Sequence, residues 1–107
     1  MAYEMQIAAL ADPTRRAILA ELREAPCTVG RLAAGLPVSR PAVSQHLKVL
    51  SDAGLLAVEP HGTRRLYRLA PGGIDELRAY LDALWSDALS SFARRAEEVA
   101  RIEGKDS

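Results

Sequence analysis

Side chains that donate hydrogen bonds are concentrated between residues 39 and 48, and this segment contains no carboxylate. Four of these donors fall on one side of a predicted helix: Arg40, Ser44, Gln45 and Lys48. The other side carries apolar residues at the spacing i, i+4, i+7: Val43, Leu47 and Leu50. Arginine and lysine bind phosphate oxygens, whereas glutamine and serine hydrogen-bond to the edges of nucleobases. The pattern indicates a partner that is rich in negative charge and hydrogen-bond acceptors.

The helix that carries these donors is predicted over residues 39–53, with Ser39 as its N-cap and Gly54 at its C-terminal end. A shorter helix over residues 28–36 precedes it, and the tripeptide Leu-Pro-Val joins the two. Two helices joined this closely make a helix-turn-helix, whose second helix enters the major groove of DNA. We therefore predict double-stranded DNA as the partner. The predicted major-groove contacts are Ser39, Arg40, Ser44, Gln45, His46 and Lys48.

An arginine-rich β-hairpin is predicted directly after the helix-turn-helix. Apolar residues alternate over residues 56–58, and residues 66–69 are rich in strand-forming side chains. The sequence Pro-His-Gly-Thr at residues 60–63 is predicted to form the turn between the two strands. Two arginines follow this turn. We therefore predict a basic wing that reaches the minor groove or the DNA backbone through Arg64 and Arg65.

Two helices are predicted before the helix-turn-helix. The first is a short helix over residues 2–10, and the second lies within residues 11–25 with Asp12 as its N-cap. Arg15 and Arg16 fall in the first turn of the second helix, where positive charge opposes the helix dipole. This unfavourable placement suggests another role for the pair, such as a phosphate contact.

A long amphipathic helix is predicted from Ile74 onward. It follows Pro-Gly-Gly at residues 71–73, which ends the preceding regular secondary structure. Its apolar residues repeat at spacings of three and four, and this stripe is too long to be used up by the core of so small a monomer. The stripe therefore indicates a surface that another chain covers, although packing within a single chain stays open as an alternative. The predicted fold class is mainly α with a small β-hairpin, in the order α-α-α-α-β-β-α.

At 107 residues the chain has the length of one domain, predicted over residues 1–107 with a core at about 11–70. Its composition, 49% hydrophobic and 26% charged, is typical of a folded globular protein. The net charge of zero conceals a segregation of charge along the chain. Residues 38–70 carry five basic and two acidic side chains, whereas residues 71–107 carry five basic and eight acidic ones. Because local charge decides whether a surface attracts phosphate, the zero total does not argue against a nucleic-acid partner.

The sequence also predicts the cellular compartment. No apolar run approaches the ~18 residues that a membrane span needs. The N-terminus has no basic region and carries Glu4, so it does not resemble a signal peptide. A single cysteine, Cys27, excludes an internal disulfide framework and is typical of a reducing environment. We predict a cytoplasmic protein without a membrane partner.

Three segments together resemble the winged-helix core of ArsR-type bacterial transcriptional regulators. They are LADPTRRAIL, VSRPAVSQHLKVLSDAGLL and GTRRLYRL, and the similarity extends over residues 2–100. The resemblance implies a winged helix-turn-helix that binds an operator and usually represses transcription, commonly at its own promoter.

The resemblance also implies a homodimer formed by the first and last helices, at about residues 2–10 and 72–100. The long apolar stripe of the last helix agrees with that arrangement independently. The residues predicted for the dimer interface are Met5, Leu77, Leu81, Leu84, Trp85, Ala88 and Phe92. In a dimer of this kind the two recognition helices would dock in successive major grooves, about 34 Å apart on a roughly palindromic site.

Many ArsR-type proteins sense metals, but the residues that such sensing needs are not present in the matching positions. The Cys-x-Cys motif of the family would fall on Thr28 and Gly30, and Cys27 lies just outside it. One thiolate cannot make a tight zinc or arsenic site. The last helix, where the other metal site of the family lies, contains no histidine between residues 72 and 103. We therefore predict no metal and no cofactor, and the sequence leaves any small-molecule effector unassigned.

Several alternatives to a simple DNA-binding regulator stay open. The protein could sense a metal or an oxidant through Cys27, or hold an apolar effector near Tyr80 and Trp85. It could also be a winged-helix adaptor that binds protein rather than DNA. An enzyme is not predicted, because Cys27 and His46 have no recognisable nucleophile–base spacing and no glycine-rich loop or paired-acid motif occurs.

Overall fold

A computed structural model describes residues 2–105 of the chain. These residues form five helices and a two-stranded sheet, in the predicted order. The helices are α1 (Ala2–Leu10), α2 (Pro13–Glu24), α3 (Val29–Gly35), α4 (Arg40–Asp52) and α5 (Asp75–Lys105). The strands are β1 (Leu56–His61) and β2 (Arg64–Leu69). The helix-turn-helix is formed by α3 and α4, and the hairpin that follows them is the wing.

Three helices begin at the residues that the sequence predicts. Asp12, Thr28 and Ser39 each accept a hydrogen bond from the backbone N–H three residues further along, at 3.0, 3.3 and 3.2 Å. These bonds satisfy donors that have no partner within the first turn of a helix. At the other end of α4, Gly54 has a φ of +77°, which glycine adopts without the steric cost of a side chain. Both ends of α4 are therefore determined by local sequence.

The turn of the wing is tighter than the sequence predicts. His61 pairs with Arg64 across a two-residue turn formed by Gly62 and Thr63. The predicted four-residue turn is wrong at His61, which continues β1, whereas Pro60, a residue that also fits a strand end, lies within β1. Gly62 has a φ of +65°, and a positive φ at the first central residue matches a II′ turn, whose twist suits antiparallel strands. Pro60 fits in β1 because both strands of a two-stranded sheet are edge strands.

The base of the wing is attached to the segment that precedes α3. The backbone N–H of Cys27 donates to the carbonyl of Tyr67 at 2.9 Å, and the N–H of Tyr67 donates to the carbonyl of Cys27 at 2.8 Å. A hairpin of two strands is not stable alone in water. This pairing therefore helps to hold the wing at a fixed position beside the helix-turn-helix.

The core lies among α2, α3, α4 and the start of the wing. Its largest fully buried side chains are Ile18, Val43, Leu47 and Leu50. The three residues from α4 are the predicted apolar stripe, which the structure confirms. Burial of each such side chain stabilises the fold by roughly 1.5–3 kcal/mol. The inner face of α4 is thus anchored in the core, and its opposite face remains at the surface.

An amide side chain of α1 is also buried in this region. Gln6 is 4% exposed, and its Nε2 donates to the carbonyls of Ala53 at 3.2 Å and Gly73 at 2.6 Å. These bonds join α1 to the end of α4 and to the turn before α5. The apolar pattern of the sequence does not predict a buried glutamine. The packed region therefore extends beyond the predicted core, residues 11–70, in both directions.

The chain divides into two compact units at the boundary between Leu77 and Arg78. The first unit contains the helix-turn-helix, the wing, α1, α2 and the first residues of α5, and the second contains the rest of α5. Residues 78–104 are all exposed in the single chain. A membrane-crossing helix, which must be both long and apolar, is not found within residues 2–105. The single domain over residues 1–107 stays a prediction.

Candidate nucleic-acid interface

The outward face of α4 carries three of the predicted DNA contacts. Ser44, Gln45 and Lys48 are exposed, on the side of the helix opposite to its buried stripe. Ser39 is also exposed, and its Oγ accepts the capping hydrogen bond from Ala42, so its hydroxyl hydrogen can still be donated. Because the core fixes the inner face of α4, these donors are presented on a rigid helix. The major groove, about 12 Å wide, admits such a helix.

This face is not free of carboxylates along its whole length. Lys48 Nζ donates to Asp52 Oδ2 at 3.0 Å, in an ion pair between residues four apart. The prediction that the face carries no acid holds for residues 39–48, but the last turn of α4 adds one. Both side chains are mostly exposed, and an exposed ion pair contributes little to stability. Lys48 can therefore exchange Asp52 for a phosphate group at small cost.

His46 is directed toward α2. Its ring is half-buried, and its Nδ1 lies 3.4 Å from Nη1 of Arg15. Arginine can only donate, so this contact requires that Nδ1 carries no proton and that the proton of a neutral ring is on Nε2. The contact places His46 at the edge of the interface between α2 and α4. Its predicted role in the major groove stays a prediction.

Arg15 and Arg16 cap the C-terminal end of α1. Arg15 donates to the carbonyls of Ala9 at 2.7 Å and Ala8 at 3.1 Å, and Arg16 donates to the carbonyl of Leu10 at 2.9 Å. Carbonyls in the last turn of a helix have no partner within the helix, and the dipole there favours positive charge. The suggested phosphate contact for this pair stays a prediction, because each guanidinium has further N–H donors. Their unfavourable position at the start of α2 is explained by the end of the neighbouring helix.

Arg40 lies across the first turn of α3. Its guanidinium group is so close to Gly30 that a Cβ atom on this glycine would lie 3.3 Å from Nη2 and 3.6 Å from Cζ. The absence of a side chain at Gly30 leaves room for the guanidinium group. Arg40 thus extends from the start of α4 over α3, whereas Gln45 lies on the outward face of α4.

Arg40 and the two predicted wing arginines line the same groove. This groove has a volume of about 710 Å³, and its walls include Arg40 on one side and Arg64 and Arg65 on the other. Arg31 of α3 lines it too, although no sequence motif predicts a role for this residue. An exposed arginine three residues after a helix cap resembles an ordinary solvated side chain, so no local pattern identifies Arg31. Only the fold shows that it lies between α4 and the wing.

Cys27 also lines this groove but is 6% exposed, and its Sγ donates to the carbonyl of Ala25 at 3.5 Å. On the side of this groove the charged residues near Cys27 are arginines, whereas a second pocket that Cys27 borders is lined by Glu21 and Glu24. In the part of the chain that the structure describes, no three His, Cys, Asp or Glu side chains are grouped so that they could hold a metal ion. At the positions of the family's metal-binding cysteines, Thr28 caps α3 and Gly30 makes room for Arg40.

Six of the seven side chains predicted for a dimer interface are exposed in the single chain: Met5, Leu81, Leu84, Trp85, Ala88 and Phe92. Leu77 is different, because it is only 5% exposed and belongs to the first compact unit. Its own chain already covers most of it, and its place in the interface stays a prediction. Trp85 and Phe92 are 67% and 72% exposed, and large apolar patches of this kind mark sites of interaction. The role of these exposed residues in an interface stays a prediction.

Known proteins share this arrangement. A family profile described as "Helix-turn-helix domain" matches residues 10–59, which run from the end of α1 into the wing. Among solved structures, the homodimeric winged helix-turn-helix DNA-binding domain of Mb0332 from Mycobacterium bovis, "a possible ArsR-family transcriptional regulator", is 26% identical. Its TM-score is 0.65, and the match covers 80% of each chain. The predicted winged helix-turn-helix is thereby confirmed.

The HTH-type transcriptional regulator Rv2034 of Mycobacterium tuberculosis (strain ATCC 25618 / H37Rv) is 52% identical over 99 residues, which cover 92% of this chain and 89% of that protein. The chain belongs to the ArsR/SmtB family of helix-turn-helix transcriptional regulators. A second relative, the HTH-type transcriptional repressor SmtB of the same strain, is 50% identical over 62 residues. That match covers 58% of this ArsR/SmtB-family chain and 46% of SmtB.

Proposed function

We propose that this ArsR/SmtB-family protein is a homodimeric, sequence-specific DNA-binding repressor. The observation that carries the proposal is the placement of donors on one compact unit. The outward face of α4 presents Ser44, Gln45 and Lys48, and the wing beside it presents Arg64 and Arg65. A helix and a neighbouring basic hairpin of this kind match the major groove of DNA and the minor groove next to it.

The residues of α4 divide the recognition of DNA between bases and backbone. The amide of Gln45 binds N6 and N7 of adenine, and the hydroxyl of Ser44 donates to a base or a phosphate. Lys48 leaves Asp52 and binds a phosphate or the O6 and N7 atoms of guanine. A good bidentate base contact contributes roughly 1–3 kcal/mol of discrimination. Gln45 is therefore the main candidate for sequence selectivity.

The dimer is proposed to form through the exposed apolar side chains of α1 and α5. On α1 the candidate is Met5, and on α5 the candidates include Leu84, Trp85 and Phe92. The homodimeric domain of the relative from Mycobacterium bovis supports this assembly. A dimer with two-fold symmetry would place two copies of α4 in successive major grooves, about 34 Å apart on a palindromic site.

Repression follows from occupancy of DNA that the transcription machinery needs. The name of the relative SmtB, a transcriptional repressor, supports this direction of regulation. The promoter of the protein's own gene is the first candidate operator, because ArsR-type regulators commonly control themselves. A protein that binds the chromosome acts in the bacterial cytoplasm, which is therefore the proposed compartment.

Fluorescence anisotropy with a labelled duplex from upstream of the gene tests the proposal, with a scrambled duplex as competitor. We expect saturable binding that the competitor does not displace. Gln45→Ala should reduce the preference for the upstream duplex by more than tenfold, because each copy in the dimer loses about 1–3 kcal/mol of base discrimination. Arg64→Ala should weaken the binding of both duplexes equally, because phosphate contacts carry no sequence information.

Arg23→Ala is the matched control, since Arg23 is exposed on α2 and lies 3.7 Å from Glu24. It removes the same charge from a position outside the proposed interface and should leave the affinity nearly unchanged. Equal affinity of the wild-type protein for both duplexes would contradict control of its own promoter. Failure to bind either duplex at low salt would contradict DNA binding and favour the protein adaptor.

A further inference from the structure

The first compact unit contains eight arginines, and they form two groups. Four have partners in the protein: Arg15 and Arg16 at the end of α1, Arg23 with Glu24, and Arg68 with Glu59. The other four form no hydrogen bond or ion pair through their side chains within residues 2–105, and all of them line the groove between α3, the start of α4 and the wing: Arg31, Arg40, Arg64 and Arg65. The arginines without partners are thus collected at one place.

The groove contains no negative charge to balance these arginines. Its remaining walls come from uncharged or apolar residues and from His61, and no Asp or Glu lines it. Like charges that face a common space repel one another, so the arrangement is unfavourable unless an anion enters. Guanidinium groups bind phosphate oxygens through two parallel hydrogen bonds. The chemistry of the groove therefore indicates a phosphate group as its ligand.

The position of the groove indicates where this phosphate comes from. Arg40 is the first residue of α4, and Arg64 and Arg65 lie at the start of β2. In the proposed complex α4 occupies a major groove and the wing reaches the adjacent minor groove. The structure that separates adjacent grooves of a duplex is a phosphodiester strand. A space between α4 and the wing is therefore where that strand has to pass.

We propose that this groove holds a backbone phosphate of the DNA strand between the two docked elements, and that Arg31 of α3 is one of its ligands. The inference rests on the proposed DNA binding and adds a contact from outside the recognition helix and the wing. Gly30 lines the groove as well, and its lack of a side chain leaves room for the Arg40 guanidinium beside the first turn of α3. The arginines of three separate elements, α3, α4 and β2, then bind the same strand.

Arg31 also borders a second pocket, of about 350 Å³, which Glu21 and Glu24 line. No ion pair joins Arg31 to either carboxylate. The long arginine side chain can therefore turn toward the phosphate without the loss of an existing salt bridge. The two glutamates also keep anions out of the second pocket, so they favour the arginine groove as the place where a phosphate binds.

The test measures the affinity of the intact protein for the upstream and scrambled duplexes over a range of salt concentrations. Arg31→Ala should weaken binding to both duplexes by the same factor and reduce the slope of log K against log salt. Each lost phosphate contact removes about 0.9 from this slope, so a dimer should lose roughly 2. At about 0.15 M salt this corresponds to roughly thirtyfold weaker binding. Arg31→Lys keeps the charge and should retain the slope.

Arg23→Ala serves as the control, since it removes an exposed arginine elsewhere in the same unit. If the wild-type protein binds DNA but Arg31→Ala behaves like Arg23→Ala, the inference is overturned and the proposed function stands. If the wild-type protein binds neither duplex at low salt, the proposed function fails and the inference fails with it.

Duplexes with a single neutral methylphosphonate identify the phosphate itself. Neutralising the phosphate held in the groove should weaken wild-type binding more than it weakens binding of Arg31→Ala, because one of the cations that bind this phosphate is already missing from the variant. At every other position of the methylphosphonate, the free-energy loss from the neutral phosphate and the loss from Arg31→Ala should add. If the two losses of binding free energy add at every phosphate position, the inference is overturned. A second result would also overturn the inference: Arg31→Ala abolishes the binding of inorganic pyrophosphate but leaves the DNA affinity of the protein unchanged. The groove would then bind a small anion rather than DNA.

Discussion

At the scale of single residues, the lack of a side chain at Gly30 determines where the long side chain of Arg40 can lie. The guanidinium of Arg40 lies so close to Gly30 that a side chain at position 30 would be in tight contact with it, with a Cβ 3.3 Å from Nη2. Gly30 lies in the first turn of α3, and glycine is less favourable than alanine in a helix by up to about 1 kcal/mol. A residue that costs stability at this point is consistent with a requirement for space, and in the proposed complex that space belongs to Arg40.

Gly30→Ala should therefore change stability and DNA binding in opposite directions. The free energy of unfolding should rise by up to about 1 kcal/mol, because alanine is the better helix former. The affinity for DNA should fall a few-fold, because the new Cβ would be 3.3 Å from Arg40 Nη2 and would push the guanidinium aside. Urea unfolding and anisotropy measure the two effects. Gly35→Ala, with no atom within 4 Å of the new Cβ, should leave DNA affinity unchanged. An unaltered affinity in Gly30→Ala would contradict this role for the glycine.

Asp12 gives a prediction about pH. The backbone N–H of Arg15 donates to its carboxylate at 3.0 Å and holds the pKa of Asp12 below its usual value of 3.8. The pKa is lower in the folded state than in the unfolded state. The stabilisation by Asp12 is therefore complete above the unfolded pKa and is lost as the pH falls through the folded one.

Asp12→Asn keeps an acceptor for the cap but cannot titrate. The difference in free energy of unfolding between wild type and Asp12→Asn should thus be constant above about pH 5 and should change below it in favour of the variant. Urea titrations between neutral and acidic pH measure this difference. A difference that does not vary with pH would show that the cap contributes nothing through its charge.

At the scale of elements, α4 was the most predictable part of the chain. Its caps and its apolar stripe depend on residues within a few positions of one another, and the structure confirms all of them. The limits of the wing were less predictable, because Pro60 and His61 are typical of turns and only the pairing with β2 makes them strand residues. Sequence patterns describe local preferences well, and tertiary pairing overrides them at the ends of elements.

A variant without the Lys48–Asp52 ion pair of α4 should bind DNA more tightly. Asp52→Asn removes the partner of Lys48 and a negative charge that would approach phosphates. The affinity for any duplex should rise a few-fold, most strongly at low salt, while stability should change by less than about 0.5 kcal/mol. Anisotropy at two salt concentrations measures the gain. Glu76→Gln, which removes an equal charge from the exposed first turn of α5, is the control, and equal gains in both variants would contradict a local effect at Lys48.

Replacement of the buried amide of Gln6 in α1 should lower the free energy of unfolding. Gln6→Leu would leave the carbonyls of Ala53 and Gly73 without the donor that now binds both, at a cost of about 1–3 kcal/mol. Urea unfolding at a fixed protein concentration measures the loss, since dimerisation contributes to stability. Gln45→Leu makes the same chemical change at an exposed position and should alter stability by less than about 0.5 kcal/mol. Equal effects in the two variants would mean that the Gln6 bonds contribute nothing.

At the scale of the whole molecule, what the sequence could not predict depends on contacts between distant segments. Gln6 binds carbonyls 47 and 67 positions away, and Arg31 is separated from the wing arginines by the whole of α4. The outward donors of α4 were identified because a helix repeats its faces every few residues. Three of the four arginines of the groove were identified, because Arg40, Arg64 and Arg65 belong to recognised motifs and Arg31 does not.

The exposed apolar stripe of α5 also concerns the whole molecule, because the proposed dimer would cover it. Along α5 the exposed apolar side chains form one stripe that contains Leu81, Leu84 and Trp85 and continues through Phe92 to Val99. Covering such a stripe with its equivalent in a second chain stabilises both copies at about 25 cal/mol for each Å² of apolar surface removed from water. The dimer would also fix the spacing of two recognition helices. DNA binding and self-association are therefore coupled in this account.

Hydroxyl-radical footprinting on the tightest-binding duplex from a randomised pool tests this account most directly. We predict two protected segments one helical turn apart, about 34 Å, which two copies of α4 and their wings would produce. Leu84→Glu, with a charge in the apolar stripe, should abolish the paired footprint, whereas Ser90→Glu on the opposite side of α5 should retain it. A single protected segment, or a paired footprint that survives in Leu84→Glu, would contradict a dimer that reads DNA with two recognition helices.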